Sequence, residues 1–149
     1  MEQAAVNPGH GYYLEDLAVG MAHEVSHTVS ERDVDDFARI CGDYNPIHMD
    51  EAYASQTPFG GRIAHGALTA SYLSAILGND LPGPGAVFLT LELKFRAPVR
   101  IGKTVVARAE VAAINHRRRI VDMAVHCTVD GKVVVRGTAG VMVENRPAA

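Results

Sequence analysis

The fold is decided by residues 65–77, which read HGALTASYLSAIL. Apolar and small side chains surround this segment, and within it only Thr69, Ser71 and Ser74 carry hydroxyl groups apart from Tyr72. A helix that is apolar on nearly every side is buried. The sequence therefore predicts a long helix that is enclosed by the rest of the chain.

Four stretches after this helix alternate between apolar and polar residues, as strands with one buried face do. They begin near Val87, Thr104, Val121 and Val133, and Asp130-Gly131 is a hairpin signal between the last two. Strands joined by short turns predict an antiparallel meander with one apolar face. The central helix would cover that face. We therefore expect an α+β fold, with a curved antiparallel sheet wrapped around one long helix.

Smaller elements are predicted before the central helix. Residues 23–29 have the pattern of a short strand, and residues 31–41 that of a helix with one buried face, capped by Ser30. Asp50 is interpreted as the N-cap of a second, shorter helix over residues 51–55.

Length and composition limit the class of protein. The 149 residues suit one domain, predicted over residues 1–149 with a core from about 15 to 143 and frayed ends at 1–10 and 145–149. The net charge of −3 argues against nucleic acid as the main partner. No apolar stretch is long enough for a bilayer, and the N-terminus lacks a signal-peptide pattern. We expect a cytoplasmic protein that does not bind membranes.

The two cysteines, Cys41 and Cys127, lie far apart in apolar patterns. Both are predicted to be buried free thiols, because an unpaired cysteine behaves as a small apolar residue. No disulfide is expected between them.

Polar chemistry is concentrated in residues 41–48, which read CGDYNPIH. We expect an irregular loop here, since the stretch is short and Pro46 biases Asn45 towards an extended backbone. Such a loop can turn Asp43 and His48 towards one point. A carboxylate beside an imidazole is a general acid–base pair that works near neutral pH. Which of the two would act as the base is open.

Gly66 opens the long central helix. The first N–H groups of a helix have no partner within it and lie at the positive end of its dipole. Such an N–H can hold a developing oxyanion, so Gly66 is a third candidate for the reaction centre.

Three motifs in this chain resemble those of the MaoC-type hydratases, the family of (R)-specific enoyl-CoA hydratases. They are GDYNPIH at residues 42–48, GRIAHG at 61–66 and FRAPV at 95–99. The resemblance covers about residues 15–143 and implies the hotdog fold. It also implies reversible addition of water to a trans-2-enoyl-CoA to give the (R)-3-hydroxyacyl-CoA, an acyl-CoA thioester as substrate, and no cofactor.

The resemblance also assigns roles to single residues. Asp43 and His48 match the family's catalytic pair, Gly66 matches its oxyanion donor, and Ser74 matches a serine placed near the catalytic aspartate. Hotdog relatives join two sheets edge to edge, and the predicted sheet has an unpaired edge that invites strand pairing. We therefore expect a homodimer.

Five residues are candidates for contact with the substrate, and each also has a structural interpretation. Asn45 could hold water or only bond its own loop, and His65 could line the pocket, although a structural role at the helix start is favoured. Ser71 and Ser74 could simply allow close packing. Arg62 and the basic run 116–119 could attract CoA phosphates, although a solvated turn is favoured for the run. The five are Asn45, Arg62, His65, Ser71 and Ser74.

Other types of site and function are less favoured. A metal site from Asp43, His48, Asp50 and His65 is conceivable by residue type, but no close ligand pair supports it, and none is predicted. A thioesterase of the same fold usually has a carboxylate on or beside the central helix, whereas residues 65–78 contain none. The intact Asp–His pair argues against a non-catalytic acyl-binding subunit.

Overall fold

The computed structural model describes residues 9–149. A short 3₁₀ turn at Leu14–Asp16 precedes the first strand. The helices are α1 (Glu31–Cys41), α2 (Pro46–Met49), α3 (Glu51–Ala54) and α4 (Gly66–Asn79), and the strands are β1 (Ala22–Thr28), β2 (Val87–Phe95), β3 (Thr104–Asn115), β4 (Ile120–Val129) and β5 (Lys132–Met142).

The five strands form one antiparallel sheet in the order β1-β3-β4-β5-β2. Strands β3, β4 and β5 form the predicted meander, and the turn at Asp130-Gly131 has the positive φ values that such a hairpin needs. The prediction was wrong for β2, which pairs with β5 and not with the strand that follows it. Residues 96–103 separate β2 from β3, and a connection of that length does not force the two strands to pair.

The core lies between α4 and the inner face of the sheet. The residues predicted to face inward along β3 and β4 are buried, except for the half-buried Val129, and so are Leu68, Leu73, Ile76 and Leu77 of α4. The inward residues of the two strands are Val105, Ala107, Ala109, Val111, Val121, Met123, Val125 and Cys127. The α+β arrangement of a sheet around a central helix is therefore confirmed.

Burial of α4 on all sides was predicted wrongly for a single chain. Ala67, Ser71, Ser74 and Ala75 are exposed along one face of the helix. These residues are small and apolar or hydroxyl-bearing, so composition alone made that face look internal. Within one chain the sheet covers only the opposite face.

Strand β2 also departs from its predicted pattern. It is an edge strand, and a register shift between Phe88 and Thr90 interrupts its alternation. Before the shift, Val87 pairs with Met142 and Phe88 with the buried Val141. Most of the apolar side chains of β2 remain exposed in one chain: Val87, Phe88, Leu89, Leu91 and Phe95.

The two helix caps predicted from the sequence are present. The Ser30 hydroxyl accepts a bond from the Asp33 N–H, and the Asp33 carboxylate accepts one from the Ser30 N–H, which makes a reciprocal capping box. Asp50 accepts from the Tyr53 N–H at 3.0 Å and caps α3.

The ends of the chain are better anchored than predicted, as far as they are described. Residues 1–8, part of the predicted frayed start, lie outside the described residues. His10 stacks on Tyr13 with ring centroids 4.2 Å apart. In the tail, the Arg146 N–H donates to Glu15 at 2.8 Å, and the Arg146 guanidinium pairs with Asp16.

Both cysteines are free thiols, but only one of them is buried. Burial raises the pKa of Cys127 to about 12. Cys41 is exposed, contrary to the prediction. It shares a helical face with Val34 and Ala38, but it is the last residue of α1, where that face is no longer covered.

The basic run 116–119 forms the exposed turn between β3 and β4. The Arg119 carbonyl accepts from the Val143 N–H at 2.9 Å, so the turn lies where β5 ends. No helix among residues 9–149 has the length and apolar character needed to span a membrane.

Candidate active site

The site begins where α1 ends. Gly42 adopts a left-handed conformation with φ of 81°, and its N–H closes the helix on the Ala38 carbonyl at 2.7 Å. Glycine takes this conformation without the strain that a side chain brings. The reversal carries Asp43 away from the α1 axis, and its Oδ1 accepts from the Asn45 N–H at 3.1 Å.

The loop predicted over residues 41–48 is partly regular. Pro46–Met49 form one helical turn, α2, with Asn45 as N-cap and Pro46 at its first position. The Asn45 side-chain oxygen accepts from the Ile47 N–H at 3.2 Å. Proline is favoured at this position since the N–H that it lacks would have no helical partner. The structural interpretation of Asn45 is thus realised, while its contact with water stays a prediction.

His48 lies on α2 and is buried against residues 63 and 64. Its Nδ1 is 2.8 Å from the Ile63 carbonyl, so this nitrogen carries the proton and donates. The Ile63 N–H in turn donates to the Ile47 carbonyl at 3.1 Å, and the Ala64 N–H to the Val99 carbonyl at 2.7 Å. These bonds hold the segment that orients the ring. The Nε2 lone pair of the uncharged ring is left free for chemistry.

The free nitrogen of His48 faces the carboxylate of Asp43. His48 Nε2 lies 3.9 Å from Asp43 Oδ2, too far for a direct hydrogen bond. Burial lowers the pKa of His48; its bond to the Ile63 carbonyl opposes that shift, His65 adds to it, and Asp43 opposes it. An uncharged imidazole and a half-exposed carboxylate thus face each other across a gap that a water molecule can bridge.

His65 lies directly before α4 and is almost completely buried. Its Nε2 donates to the Asp43 carbonyl at 2.9 Å, and its ring stacks on His48 with centroids 4.0 Å apart. It makes no side-chain cap for α4. The local structural role predicted for His65 at the helix start is therefore not seen, because its hydrogen bond goes to the Asp43 backbone and not to the helix.

Ligand atoms of Asp43, His48 and His65 lie within 4.8 Å of one another, close enough to consider a metal. Asp50 does not join them, because its carboxylate caps α3. The two imidazoles are stacked, with their planes 29° apart. A metal bound by both would have to lie in both ring planes, and stacked rings direct their lone pairs side by side. This donor set fits a shared metal ion poorly.

A cavity of about 380 Å³ opens beside His48 and Gly66. Its walls come from the segment before α4, the start of α4 and the connection after β2. They are mostly apolar: Phe59, Ile63, Ala64, Thr69, Phe95, Arg96, Ala97, Pro98, Val99 and Val135 complete the lining. An apolar cavity with a few polar groups at one end is the usual form of a small-molecule site.

Gly66 is placed at this cavity for a steric reason. A Cβ at position 66 would come within 2.8 Å of the Phe95 ring, so only glycine lets ring and helix start approach so closely. Among residues 9–149, no hydrogen-bond acceptor receives the Gly66 N–H. The start of α4 thus presents a free donor at the cavity wall, and its use as an oxyanion site stays a prediction.

The remaining predicted site residues have other contacts. The guanidinium of Arg62 donates to the His48 carbonyl at 2.5 Å and to Asp35 at 2.8 Å, and lies 3.7 Å from Glu31. The Ser71 hydroxyl donates to the Leu68 carbonyl at 2.5 Å. The Ser74 hydroxyl has no hydrogen-bond partner within residues 9–149. Contact of these three with substrate stays a prediction.

Sequence reasoning about single residues missed two parts of the site. The Ile63 carbonyl that fixes the His48 tautomer is a backbone atom, which no residue type reveals. Thr69 lines the cavity one turn after Gly66, and its position on a nearly apolar helix was the signal that could have indicated it.

Comparison with known proteins agrees with this geometry. A family model described as MaoC like domain matches residues 17–133. Over 137 residues the chain is 49% identical to the 3-hydroxybutyryl-CoA dehydratase of Methylorubrum extorquens, which covers 92% of this chain and 87% of that protein. The chain belongs to the MaoC-like dehydratase family. The family assignment made from the three motifs is therefore confirmed.

Other members of the family are equally informative. Over 135 residues the chain is 47% identical to the (R)-specific enoyl-CoA hydratase of Rhodospirillum rubrum, which covers 91% of this chain and 94% of that protein. The unliganded R-hydratase PhaJ1 of Pseudomonas aeruginosa superposes with a TM-score of 0.87 at 37% identity, over 92% of this chain and 88% of that one. The hotdog fold is thus confirmed.

Proposed function

We propose that this protein is an (R)-specific enoyl-CoA hydratase, which adds water reversibly to a trans-2-enoyl-CoA. The observation that carries the proposal is the free Nε2 of an uncharged His48, 3.9 Å from the Asp43 carboxylate, at the wall of an apolar cavity. Gly66 supplies a free N–H at the same cavity. The names of the relatives, dehydratase and hydratase of CoA thioesters, support the same reaction.

In the hydration direction the first step is attack of water on C3. His48 Nε2 accepts a proton from the water as its oxygen forms the bond to C3. Asp43 accepts the other hydrogen of the water in a hydrogen bond, which orients it, and its charge stabilises the imidazolium that forms. The electron pair of the double bond moves towards the thioester oxygen, where the Gly66 N–H stabilises the negative charge.

The second step returns the proton. The imidazolium of His48 donates it to C2, and the enolate collapses to the thioester. The sum is one hydroxyl on C3 and one hydrogen on C2, with no change of oxidation state. Both transfers use one nitrogen, so both groups add from the same face. The assignment of His48 as base follows from its tautomer and lowered pKa.

The acting form is proposed to be a homodimer of single-domain chains. Strand β2 has one unpaired edge and several exposed apolar side chains, and the small residues of α4 are exposed nearby. A second copy that extends the sheet at β2 would cover both. Light scattering should give a mass of twice 16.0 kDa at micromolar concentration. A stable monomer would contradict the proposal.

A cytoplasmic location belongs to the same proposal. Both cysteines are free thiols, which suits a compartment that keeps thiols reduced. Fractionation of the producing cell, with a cytoplasmic and a secreted marker enzyme followed in parallel, tests this location.

The test of the reaction is the absorbance of the enoyl-thioester band after mixing with crotonyl-CoA. Loss of the band without release of free thiol shows hydration. Release of thiol would indicate a thioesterase, and no change in either signal would indicate a non-catalytic acyl-binding subunit. His126→Gln is a suitable control for a His48→Gln variant, because it makes the same change on the outer face of β4, away from the cavity.

The stereochemical part has its own test. The product is coupled to an (S)-specific 3-hydroxyacyl-CoA dehydrogenase without an added epimerase. The (R) product gives no steady formation of NADH. Steady formation would overturn the (R) assignment even if hydration itself were confirmed.

A further inference from the structure

The buried ring of His65 contacts both Asp43 and His48, yet it has no role in the proposed hydration steps. His65 has 2% of its surface exposed. Its position before α4 would suit a helix cap, yet its side chain makes no capping bond. Its hydrogen bond goes instead to the Asp43 carbonyl, 22 positions earlier in the chain.

That bond has a consequence for the second nitrogen of the ring. Because Nε2 donates to a carbonyl, the uncharged ring has its lone pair on Nδ1. This Nδ1 is buried and has no hydrogen-bond partner among residues 9–149. Buried polar atoms are normally paired, and an exception calls for an explanation. Packing alone does not explain a histidine here, since an apolar ring would fill the space without an unpaired nitrogen.

The ring also fixes the orientation of the catalytic imidazole. His65 stacks on His48 with ring centroids 4.0 Å apart. The ring of Phe37 packs against His65, with their centroids 5.1 Å apart. His48 is thus constrained by its Nδ1 bond to Ile63 and by the stack. Together the two contacts leave Nε2 directed towards the Asp43 carboxylate.

We propose that His65 is a positioning residue for the hydration reaction, holding the backbone of Asp43 through Nε2 and the ring of His48 through stacking, so that one side chain sets the gap between carboxylate and imidazole. This inference rests on the proposed hydratase function. It differs from the expectation that His65 contacts substrate, because His65 acts through its two neighbours. Reaction rates fall steeply when reacting groups are held about 1 Å from their productive positions.

The ring has an electrostatic effect as well. Burial is the largest cause of the lowered pKa of His48, and His65 acts in the same direction. The charged or titratable groups that face His48 are Asp43, His65 and Arg62, and Arg62 is itself paired with Asp35 and Glu31. This effect is a charge repulsion: an imidazolium at His65 would oppose one at His48 when both take up protons in acid. Loss of His65 removes that opposition and raises the pKa of His48. The acid limb of the kcat/KM profile then moves to higher pH.

Two substitutions separate the two contacts. His65→Phe keeps a ring for the stack and loses the donor to Asp43, whereas His65→Gln keeps a donor near the Nε2 position and loses the ring. We expect kcat with crotonyl-CoA to fall by about tenfold to a hundredfold in each. KM should change less than about twofold, and the acid limb should move to higher pH in both.

Phe37→Leu is the matched control, because it alters packing next to His65 but leaves the hydrogen bond and the stack in place. We expect a lower melting temperature for it without a shift of the acid limb. If either His65 variant folds and keeps the wild-type kcat and acid limb, the positioning role is wrong. A wild-type enzyme without hydratase activity would instead refute the proposed function.

If both variants fail to fold, a measurement on the unaltered protein can still overturn the proposal. Nitrogen-15 spectra of the imidazoles distinguish protonated from unprotonated ring nitrogens. The proposal requires His65 to have a protonated Nε2 and an unprotonated Nδ1 at pH 7. A protonated Nδ1, or exchange between the two tautomers, would overturn it whether or not the protein is active.

Discussion

The segment that carries Asp43 and His48 and the surface formed by β2 and the outer face of α4 differ in how complete they are within one chain. In the first, bonds from His48 to Ile63, from Asn45 to Asp43 and from His65 to Asp43 set the geometry. In the second, apolar side chains such as Leu91 and Phe95 are 39% and 56% exposed. The Asp–His pair is thus positioned by contacts within one chain, whereas the β2 surface is left for a partner to cover.

The largest expected effect tests the segment that carries Asp43 and His48. Asp43→Asn or His48→Gln should lower turnover with crotonyl-CoA by at least about a hundredfold, as loss of a general acid–base group does. Melting temperature should change little, because an Asn side chain can still accept from the Asn45 N–H and a Gln side chain can still donate to the Ile63 carbonyl. Steady-state kinetics and circular dichroism measure the two quantities, with His126→Gln as the control. Near-wild-type turnover in either variant would remove that residue from the reaction.

A lysine introduced on each of the two faces of the sheet tests whether a partner covers the β2 surface. Leu91→Lys places a charge on the inner face of the edge strand, and Ala124→Lys places one on the outer face of β4, opposite Glu110. Both positions are exposed in one chain. If β2 is covered by a second copy, only Leu91→Lys should shift the mass measured by light scattering towards the monomer, at a dilution where wild type stays dimeric. Equal masses for both variants would show that β2 is not the interface.

The two regions also differ in what the sequence could predict. Alternation in β3 and β4 gave the correct inward residues, since central strands are covered by α4 within the chain. The same kind of pattern in β2 gave the wrong burial, because periodicity reports which residues share a face and not what covers that face. At the site, the motif indicated Asp43, His48 and Gly66 by residue type. Their arrangement depends on the Ile63 and Asp43 carbonyls, which have no residue-type signal.

A smaller effect concerns selectivity along α4. Ala70 and Ser71 are small residues on the side of the helix that the sheet does not bury completely. We expect the acyl chain to run along this side under the partner subunit, so a bulkier side chain there should shorten its channel. Ala70→Leu or Ser71→Leu should penalise long enoyl-CoA chains more than crotonyl-CoA. Since one methylene in an apolar pocket is worth roughly 1–3 kcal/mol, the ratio of kcat/KM values should change about tenfold or more. Equal losses for short and long substrates would indicate damage to the core instead.

The smallest expected effect is the response of the wild-type enzyme to mild acid, and it tests whether His48 is as enclosed as its contacts indicate. His48 must be uncharged to accept a proton from water, and burial lowers its pKa below the ordinary value of 6.5. At pH 6.5 an exposed histidine would be half protonated, whereas His48 should be mostly uncharged. Between pH 7.5 and 6.5, kcat/KM should therefore fall by less than about twofold, and the steep decline should begin only at lower pH. The unfolded chain takes up this proton at a higher pH than folded His48 does, so stability should also decrease as pH falls through 6.5 towards the lowered pKa of His48. An acid limb centred at or above pH 6.5 would show that solvent reaches the His48 ring in the working enzyme. The segment with Asp43 and His48 would then be more exposed in solution than its contacts within one chain indicate.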